Sequence, residues 1–217
     1  MARIGRTAPV SSFLVDQPTP VYKQLALQLN TPGTFAFKVP AGVNFVDVVL
    51  IGGGGGGIGG GISVTSGGGT AGSWAWRTLA VGVTIQTGSV ITLTVGSGGA
   101  GGGIFGGGAN GTASTATASG WAGLTASGGV SNGPTLGGAS PGNLTFDYHT
   151  FIGGSGGGVT VGGNAPGGGG GGGYNYFAGG GSGASGAAWI YTYTNVDVPP
   201  QGLSQMPMSS AVGMARL

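Results

Sequence analysis

Val46-Asp47-Val48-Val49-Leu50-Ile51 runs directly into Gly52-Gly53-Gly54-Gly55-Gly56-Gly57. The first half is β-branched, almost wholly apolar and of strand length, and it reads as a buried strand. The second half has no side chains. In isolation a glycine run is a flexible coil. It becomes ordered only where its N–H and C=O groups find partners, because buried backbone groups must be paired. One solution is the extended threefold helix, which rises about 3.1 Å per residue and makes no internal hydrogen bonds. All its polar groups point outward. Without Cβ atoms, many such helices can lie side by side and bond to one another, with Cα–H···O contacts adding a little. Ordering glycine is entropically costly, so strands must hold the ends of each run.

Working outward, further glycine blocks lie at 59–61, 67–69, 101–103, 106–108, 156–158, 167–173 and 179–181. Strand signals frame them. Leu25, Leu27 and Leu29 alternate with Gln24, Ala26 and Gln28, and Phe35, Phe37 and Val39 alternate with Ala36 and Lys38. Trp74, Trp76 and Thr78 alternate with Ala75, Arg77 and Leu79, which places both tryptophans on a strand and in the core. Residues 90–95 are β-branched, and 187–194, which include Trp189, are the clearest strand of all. Pro40-Ala41-Gly42 is a turn signal.

Composition supports an ordered interior. Of 217 residues, 57 are glycine and only ten are charged, six Lys or Arg against four Asp. Between residues 48 and 186 only Arg77 and Asp147 carry charge. A polar disordered chain is excluded by a mean hydropathy of +0.30 and a net charge of +2. Collagen is excluded because the glycines come in blocks rather than at every third position. A helical bundle is excluded by glycine's cost of about 1 kcal/mol per helical position. The pI of 9.2 rests on a two-charge excess with no cluster, so nucleic acid is not an expected partner. There is no cysteine, hence no disulfide and no thiolate chemistry. The basic N-terminal residues precede no apolar run, so neither a secretion signal nor a membrane-spanning segment is expected. The fold class expected is all-β: a glycine-rich domain over 33–195, with framing strands, polyglycine-type helices or extended segments, and little or no α-helix. Residues 1–32 and 196–217 flank it.

Several motifs invite a chemical reading. Residues 46–57 satisfy strand plus G-x-G-x-x-G, but more glycine follows where a helix should start, and the next acid after Asp47 is Asp147. No Lys follows Lys38, so a P-loop is absent. G-x-S-x-G occurs around Ser131 and Ser155, as chance supplies in so glycine-rich a chain. Ser155 with His149 and Asp147 defines the alternative of a serine hydrolase; the simpler reading of Asp147 and His149 is a polar pair on an exposed loop. Four scattered Asp and one His offer no metal site, and no cofactor is expected.

The aromatic interruptions are more informative, because aromatics cannot enter a polyglycine lattice and must lie at its ends or edges. Tyr174, Tyr176 and Phe177 form one cluster, Tyr148 and His149 belong to a second, and Ile104-Phe105 between two glycine blocks is a third. Each is read either as a cap or subunit interface, or as a contact surface for host or partner. Tyr suits the latter because it joins apolar area to a polar handle.

Residues 35–43 (Phe-Ala-Phe-Lys-Val-Pro-Ala-Gly-Val), followed by 46–57 and closed by 179–191 (Gly-Gly-Gly-Ser-Gly-Ala-Ser-Gly-Ala-Ala-Trp-Ile-Tyr), resemble the glycine-rich domain of phage tail proteins. The middle, with Gly128-Gly129, Pro141-Gly142-Asn143 and Pro166-Gly167, resembles minor tail proteins of actinobacterial phages. The match covers about 33–194. The resemblance implies a non-enzymatic virion structural protein, a minor tail protein at the distal tail or fibre tip. It implies other tail proteins as partners through the terminal segments, a homo-oligomer of trimeric form, and contact with host cell-envelope glycan or lipid. The alternative within this class is a purely structural assembly protein with no receptor contact.

Overall fold

The computed structural model describes residues 23–61, 66–174 and 177–194. All their regular structure is β, and no helix among them is long and apolar enough to cross a membrane. Ten strands are present: β1 Gln24–Leu29, β2 Gly33–Lys38, β3 Phe45–Ile51, β4 Trp74–Ala80, β5 Val90–Val95, β6 Ser114–Ala118, β7 Trp121–Ala126, β8 Leu144–Phe146, β9 His149–Phe151 and β10 Ala187–Tyr193. They form two antiparallel four-stranded sheets, in the orders β1-β10-β3-β4 and β2-β5-β6-β7, and a β8-β9 hairpin.

The two sheets share one core. Val46, Val48 and Leu50 of β3 meet Ile91, Leu93 and Val95 of β5, with Leu79, Ala116, Ala126 and Ile190 filling between. The opposite face of β3 is also covered. Val49 and Ile51 pack with Ala187, Trp189 and Phe151, roofed by the β8-β9 hairpin. Burial on both faces is why β3 reads as a continuous apolar run rather than an alternating one. Ring contacts tie the roof down, with Phe151 5.2 Å from Trp189 and Trp74 5.7 Å from Trp189. Of the two β4 tryptophans expected in the core, Trp74 is half-buried, whereas Trp76 is 46% exposed with its ring 6.1 Å from that of Phe146. It lies toward the outer end of the roof, where no sheet covers it.

The glycine body grows from one pole of this sandwich. Strands β3, β5, β7 and β9 run into it, and β4, β6, β8 and β10 emerge from it. Its hydrogen bonds repeat every third residue. The N–H groups of Gly52, Gly55 and Ile58 donate to the carbonyls of Ser73, Thr70 and Gly67; those of Gly53, Gly56 and Gly59 to Thr112, Ala109 and Gly106; those of Gly54, Gly57 and Gly60 to Ala184, Gly181 and Ala178. All nine span 2.7 to 3.1 Å. In return Gly99 and Gly102 donate to Gly54 and Gly57, Gly170 and Gly173 to Gly55 and Ile58, and Gly129 to Gly53. The run 52–60 is thus a threefold helix enclosed by six neighbours, three antiparallel that accept from it and three parallel that donate to it. The run 167–173 also has six neighbours, but with other polarities: it accepts from the antiparallel 66–72 run. Its N–H groups go to Ser185, Asn164 and Val161, Ala139 and Leu136, and to the 52–60 run itself. A hexagonal polyglycine lattice therefore satisfies the backbone that the sequence leaves without side chains.

Glycine is needed in it for space. A Cβ on Gly54 would lie 2.1 Å from the Gly168 carbonyl oxygen, and one on Gly56 would lie 2.0 Å from that of Ala100. Where lattice meets sandwich, the buried Ser114 hydroxyl donates to the Ile51 carbonyl (2.7 Å) and accepts from the Gly96 N–H (2.9 Å). Two strand-to-helix transitions are joined by that one side chain.

Candidate functional site

The lattice has two ends of different character. At the proximal end every helix is continuous with a strand. At the distal end the helices simply turn back. Gly60 and Gly173 lie there, as shown by the bonds of Gly60 to Ala178, Phe105 to Gly60 and Gly173 to Ile58. The turns around 103–106 and 158–161, and residues 174 and 177, therefore share this end.

These turns carry a group of large apolar residues. Ile104, Phe105, Tyr174 and Phe177 are exposed, with Phe105 at 58% and Phe177 at 68%. The Phe105 and Phe177 rings stand edge to face at 6.4 Å, so two clusters far apart in sequence form one patch. Val159 and Val161 extend the apolar surface from the neighbouring turn. Sequence reasoning missed this pair, although Val159-Thr160-Val161 interrupts glycine much as Ile104-Phe105 does. Tyr176 lies outside the described residues. Among the described residues no charged one belongs to this end.

The backbone here is strained. Phe105, Thr160 and Phe177 hold φ of 59°, 63° and 70°. A side chain in the left-handed region costs about 1–2 kcal/mol, which glycine avoids. A chain with 57 glycines nevertheless places two phenylalanines and a threonine there. Backbone strain of this kind clusters at ligand clamps and contact sites, which makes these positions candidates.

Tyr148 and His149 are elsewhere. Asp147 and Tyr148, with φ of 46° and 64°, form the two-residue turn of the β8-β9 hairpin, a geometry that calls for φ > 0 at both central positions. Tyr148 is 99% exposed and stands free on the flank of the sandwich. His149 opens β9, half-buried against Tyr191 at 4.6 Å. The six candidate residues that are described thus split into a distal patch (Ile104, Phe105, Tyr174, Phe177) and a lateral hairpin (Tyr148, His149).

The reading of Asp147 and His149 as an exposed polar pair is corrected by a third group. Lys23 donates to the carboxylates of both Asp47 and Asp147. Asp47, only 2% exposed, also accepts from Thr78 Oγ1 at 2.6 Å, and the Lys23 ammonium lies 4.1 Å from the centre of the Tyr193 ring. Burial pulls the Lys23 pKa down, but its hydrogen bonds to Asp147 and Asp47 outweigh that and hold it above 10.5. Burial raises the Tyr193 phenol above its ordinary value, with the Asp47 charge adding to the shift. This is an ion pair that fixes the hairpin turn and the start of β1 on β3.

It also engages the acid of the hydrolase alternative. The Asp147 carboxylate faces Lys23, His149 Nδ1 lies 3.2 Å from the Asp147 main-chain carbonyl, and the Ser155 hydroxyl accepts from Asn164 Nδ2 at 2.7 Å. The three side chains are not linked to one another by hydrogen bonds. Among the described residues no group of three His, Cys, Asp or Glu could hold a metal ion.

Comparison with known proteins agrees with this architecture. The family model for the glycine-rich domain matches residues 30–193. The chain is 43% identical over 146 residues to the Gene 32 protein of Mycobacterium phage L5, covering 63% of this chain and 66% of that one. It is 40% identical over 86 residues to the Gene 32 protein of Mycobacterium phage D29, covering 39% of each. The matches thus span just under two thirds of the first relative's length and about two fifths of the second's. The chain belongs to the glycine-rich domain family.

Proposed function

We propose that this member of the glycine-rich domain family is a phage virion structural protein, a minor tail component whose distal loops meet the host surface. The observation that carries the reading is the polarity of the fold. Gln24 pairs with Thr192, and Tyr193 with Phe45, at the sandwich pole away from the lattice. The chain therefore enters and leaves the described body at one pole, while the strained apolar patch of Phe105 and Phe177 stands at the other. The nine-residue run 52–60 places them roughly 28 Å further apart at the threefold-helix rise. Such a body suits attachment at one end and contact at the other.

The relatives belong to mycobacteriophages, which supports a phage setting for this chain. Exposed apolar surface borne on a stiff scaffold is a mark of interaction sites. The reading assigns no catalytic step and no cofactor to the chain. It makes the protein a homo-oligomer, a trimer on the phage-tail resemblance, with other tail proteins as its partners and the virion tail as its location.

Virions carrying Phe105→Ser, Tyr174→Ser and Phe177→Ser together provide the test. The expected result is normal particle yield and normal incorporation of the protein, with adsorption to host cells reduced at least about tenfold, as loss of an aromatic anchor cluster predicts. Unchanged adsorption would leave the purely structural reading. Absence of the protein from purified wild-type virions would overturn the proposal altogether.

A further inference from the structure

Three charged side chains from distant parts of the chain meet on the outer face of the first sheet. Lys23 immediately precedes β1, Asp47 interrupts the apolar run of β3, and Asp147 sits in the turn of the β8-β9 hairpin. The Lys23 ammonium touches both carboxylates. Its other neighbours are aromatic, with the centres of the Tyr193 and Phe146 rings 4.1 and 5.9 Å from Nζ. The side chains of Lys23 and Asp47 are 9% and 3% exposed, whereas that of Asp147 is 33% exposed.

Three of the chain's ten charged residues are thus committed to one point. A buried ion pair is often no more stabilising than apolar packing of the same volume, because both ions must shed water. The same three groups are, however, the parts of a reaction: an amine, a carboxyl carbon and a proton carrier. A lysine taken out of water is readily converted to a nucleophile. A carboxylate within hydrogen-bond reach of it acts as general base. We propose that Lys23 and Asp147 condense to a side-chain amide, an isopeptide bond, with Asp47 moving the protons.

The two acids differ in the way these roles require. Asp47 is held in place by Thr78 Oγ1 at 2.6 Å, its Oδ1 lies 3.5 Å from the Tyr193 hydroxyl, and it is closed off from solvent. Asp147 is on the open side of Lys23, where a water can leave. Asp47 first takes a proton from the Lys23 ammonium and passes it to the Asp147 carboxylate, which leaves a neutral amine facing a neutral acid. The amine lone pair then forms the N–C bond to Cγ of Asp147. Asp47 takes a second proton from that nitrogen and gives it to the departing hydroxyl. One C–O bond breaks, water leaves and the carbonyl re-forms. Ammonium plus carboxylate has become amide plus water, with Asp47 restored and no other reactant used. In bulk water the solvation of the two ions opposes this condensation. Here the Lys23 ion is desolvated, and the fold holds the reacting groups in contact, with the high effective concentration of an intramolecular reaction.

The bond would join positions 124 apart in sequence. It would fasten the entrance of β1 to the hairpin roof, so a pull on the segment before Lys23 would be borne covalently rather than by the β1-β10 ladder. The ion pair is the reactant state of this step, and the inference does not depend on the role given to the distal patch.

The test is the intact mass of the full-length protein, folded and incubated at neutral pH, followed by chymotryptic digestion and fragment sequencing. The expected mass is that of the chain less one water, with a branched peptide joining Lys23 to Asp147. Lys23→Arg keeps the cation but offers no amine that can be deprotonated, and it should show the full mass. Asp147→Ala should do the same. Asp47→Asn keeps both reactants and should slow the ligation about a hundredfold or more, through loss of the proton carrier. Tryptophan emission checks that each variant is folded. Full mass in the folded wild type after prolonged incubation would overturn the proposal. So would loss of water that persists in Lys23→Arg, which would place the dehydration within a single aspartate. A branch mapped to Asp47 would overturn the roles given to the two acids.

Discussion

Gly57→Ala places one methyl group where two enclosed helices touch. The added Cβ would lie 2.0 Å from the Gly171 carbonyl oxygen, 2.4 Å from its carbon and 2.8 Å from the Gly172 nitrogen, all main-chain atoms. Ordinary contact begins at 3.4 Å, so the runs must separate by about 1.4 Å. The bonds Gly170 N–H to Gly55 O and Gly173 N–H to Ile58 O, at 2.9 and 2.7 Å, join those runs directly. Neither survives such a displacement. Each of the two lost bonds leaves a buried donor and acceptor unpaired, at about 1–3 kcal/mol per bond. Overpacking adds about 1–3 kcal/mol. The expected loss is therefore about 3–9 kcal/mol, comparable to the whole stability of a domain. Gly107→Ala is the control. It sits on an exposed row of the same lattice and its Cβ meets nothing within 4 Å. There alanine should stabilise by about 0.4–1 kcal/mol, by narrowing the unfolded ensemble. Urea unfolding followed by tryptophan emission measures both. A Gly57→Ala loss below about 0.5 kcal/mol, or equal effects of the two substitutions, would refute the packed-lattice account.

Other predictions concern the joints and edges. Ser114→Ala removes the hydroxyl between Ile51 and Gly96 and should cost about 2–5 kcal/mol in the same assay, because two buried backbone groups lose their partner. Before Lys23 is joined to Asp147, the folded-state pKa values of Lys23 and Tyr193 are both raised, so their contribution to stability is complete below the unfolded values of 10.5 and 10.0 and lost as pH rises above them. Stability should hold through neutral pH and fall above about pH 10. In Lys23→Met the unfolding free energy at pH 7 should drop by about 3–5 kcal/mol, through the buried Asp47 left unpaired, and the alkaline fall should become shallower. Hydrogen exchange should be slow at the amides of 54–57 and 168–172 and fast at Gly103 and Gly107; uniformly fast exchange would mean the lattice is not held. Phe105→Gly should raise stability by about 1 kcal/mol through relief of its positive φ, while lowering adsorption.

Much of the fold was legible because two signals are strong at short range. β3 and β10 announce themselves by β-branched apolar runs, and each glycine block by its lack of side chains. β6 and β7 escaped, since Ser-Thr-Ala-Thr-Ala and Trp-Ala-Gly-Leu-Thr-Ala carry weak strand propensity. They are strands because β5 offers an edge to β6, and β6 in turn offers one to β7. The three-residue strands β8 and β9 are too short to show any period. The aromatic interruptions of glycine stood out as candidate surfaces, but their grouping did not. Nothing local says that Phe105 meets Phe177, that Tyr148 belongs to a different face, or that Asp147 faces Lys23 across 124 positions.

By itself the sequence determined what the chain can be: an uncharged, side-chain-free interior admits few structures except extended helices bonded sideways, and apolar runs can anchor their ends only as sheet. Tertiary structure decided which helix neighbours which, and hence which loops share the distal end. The reason is that a glycine N–H carries no identity. Any run could bond to any other, and the choice among partners is made by the strand order and register of the sandwich from which the runs emerge.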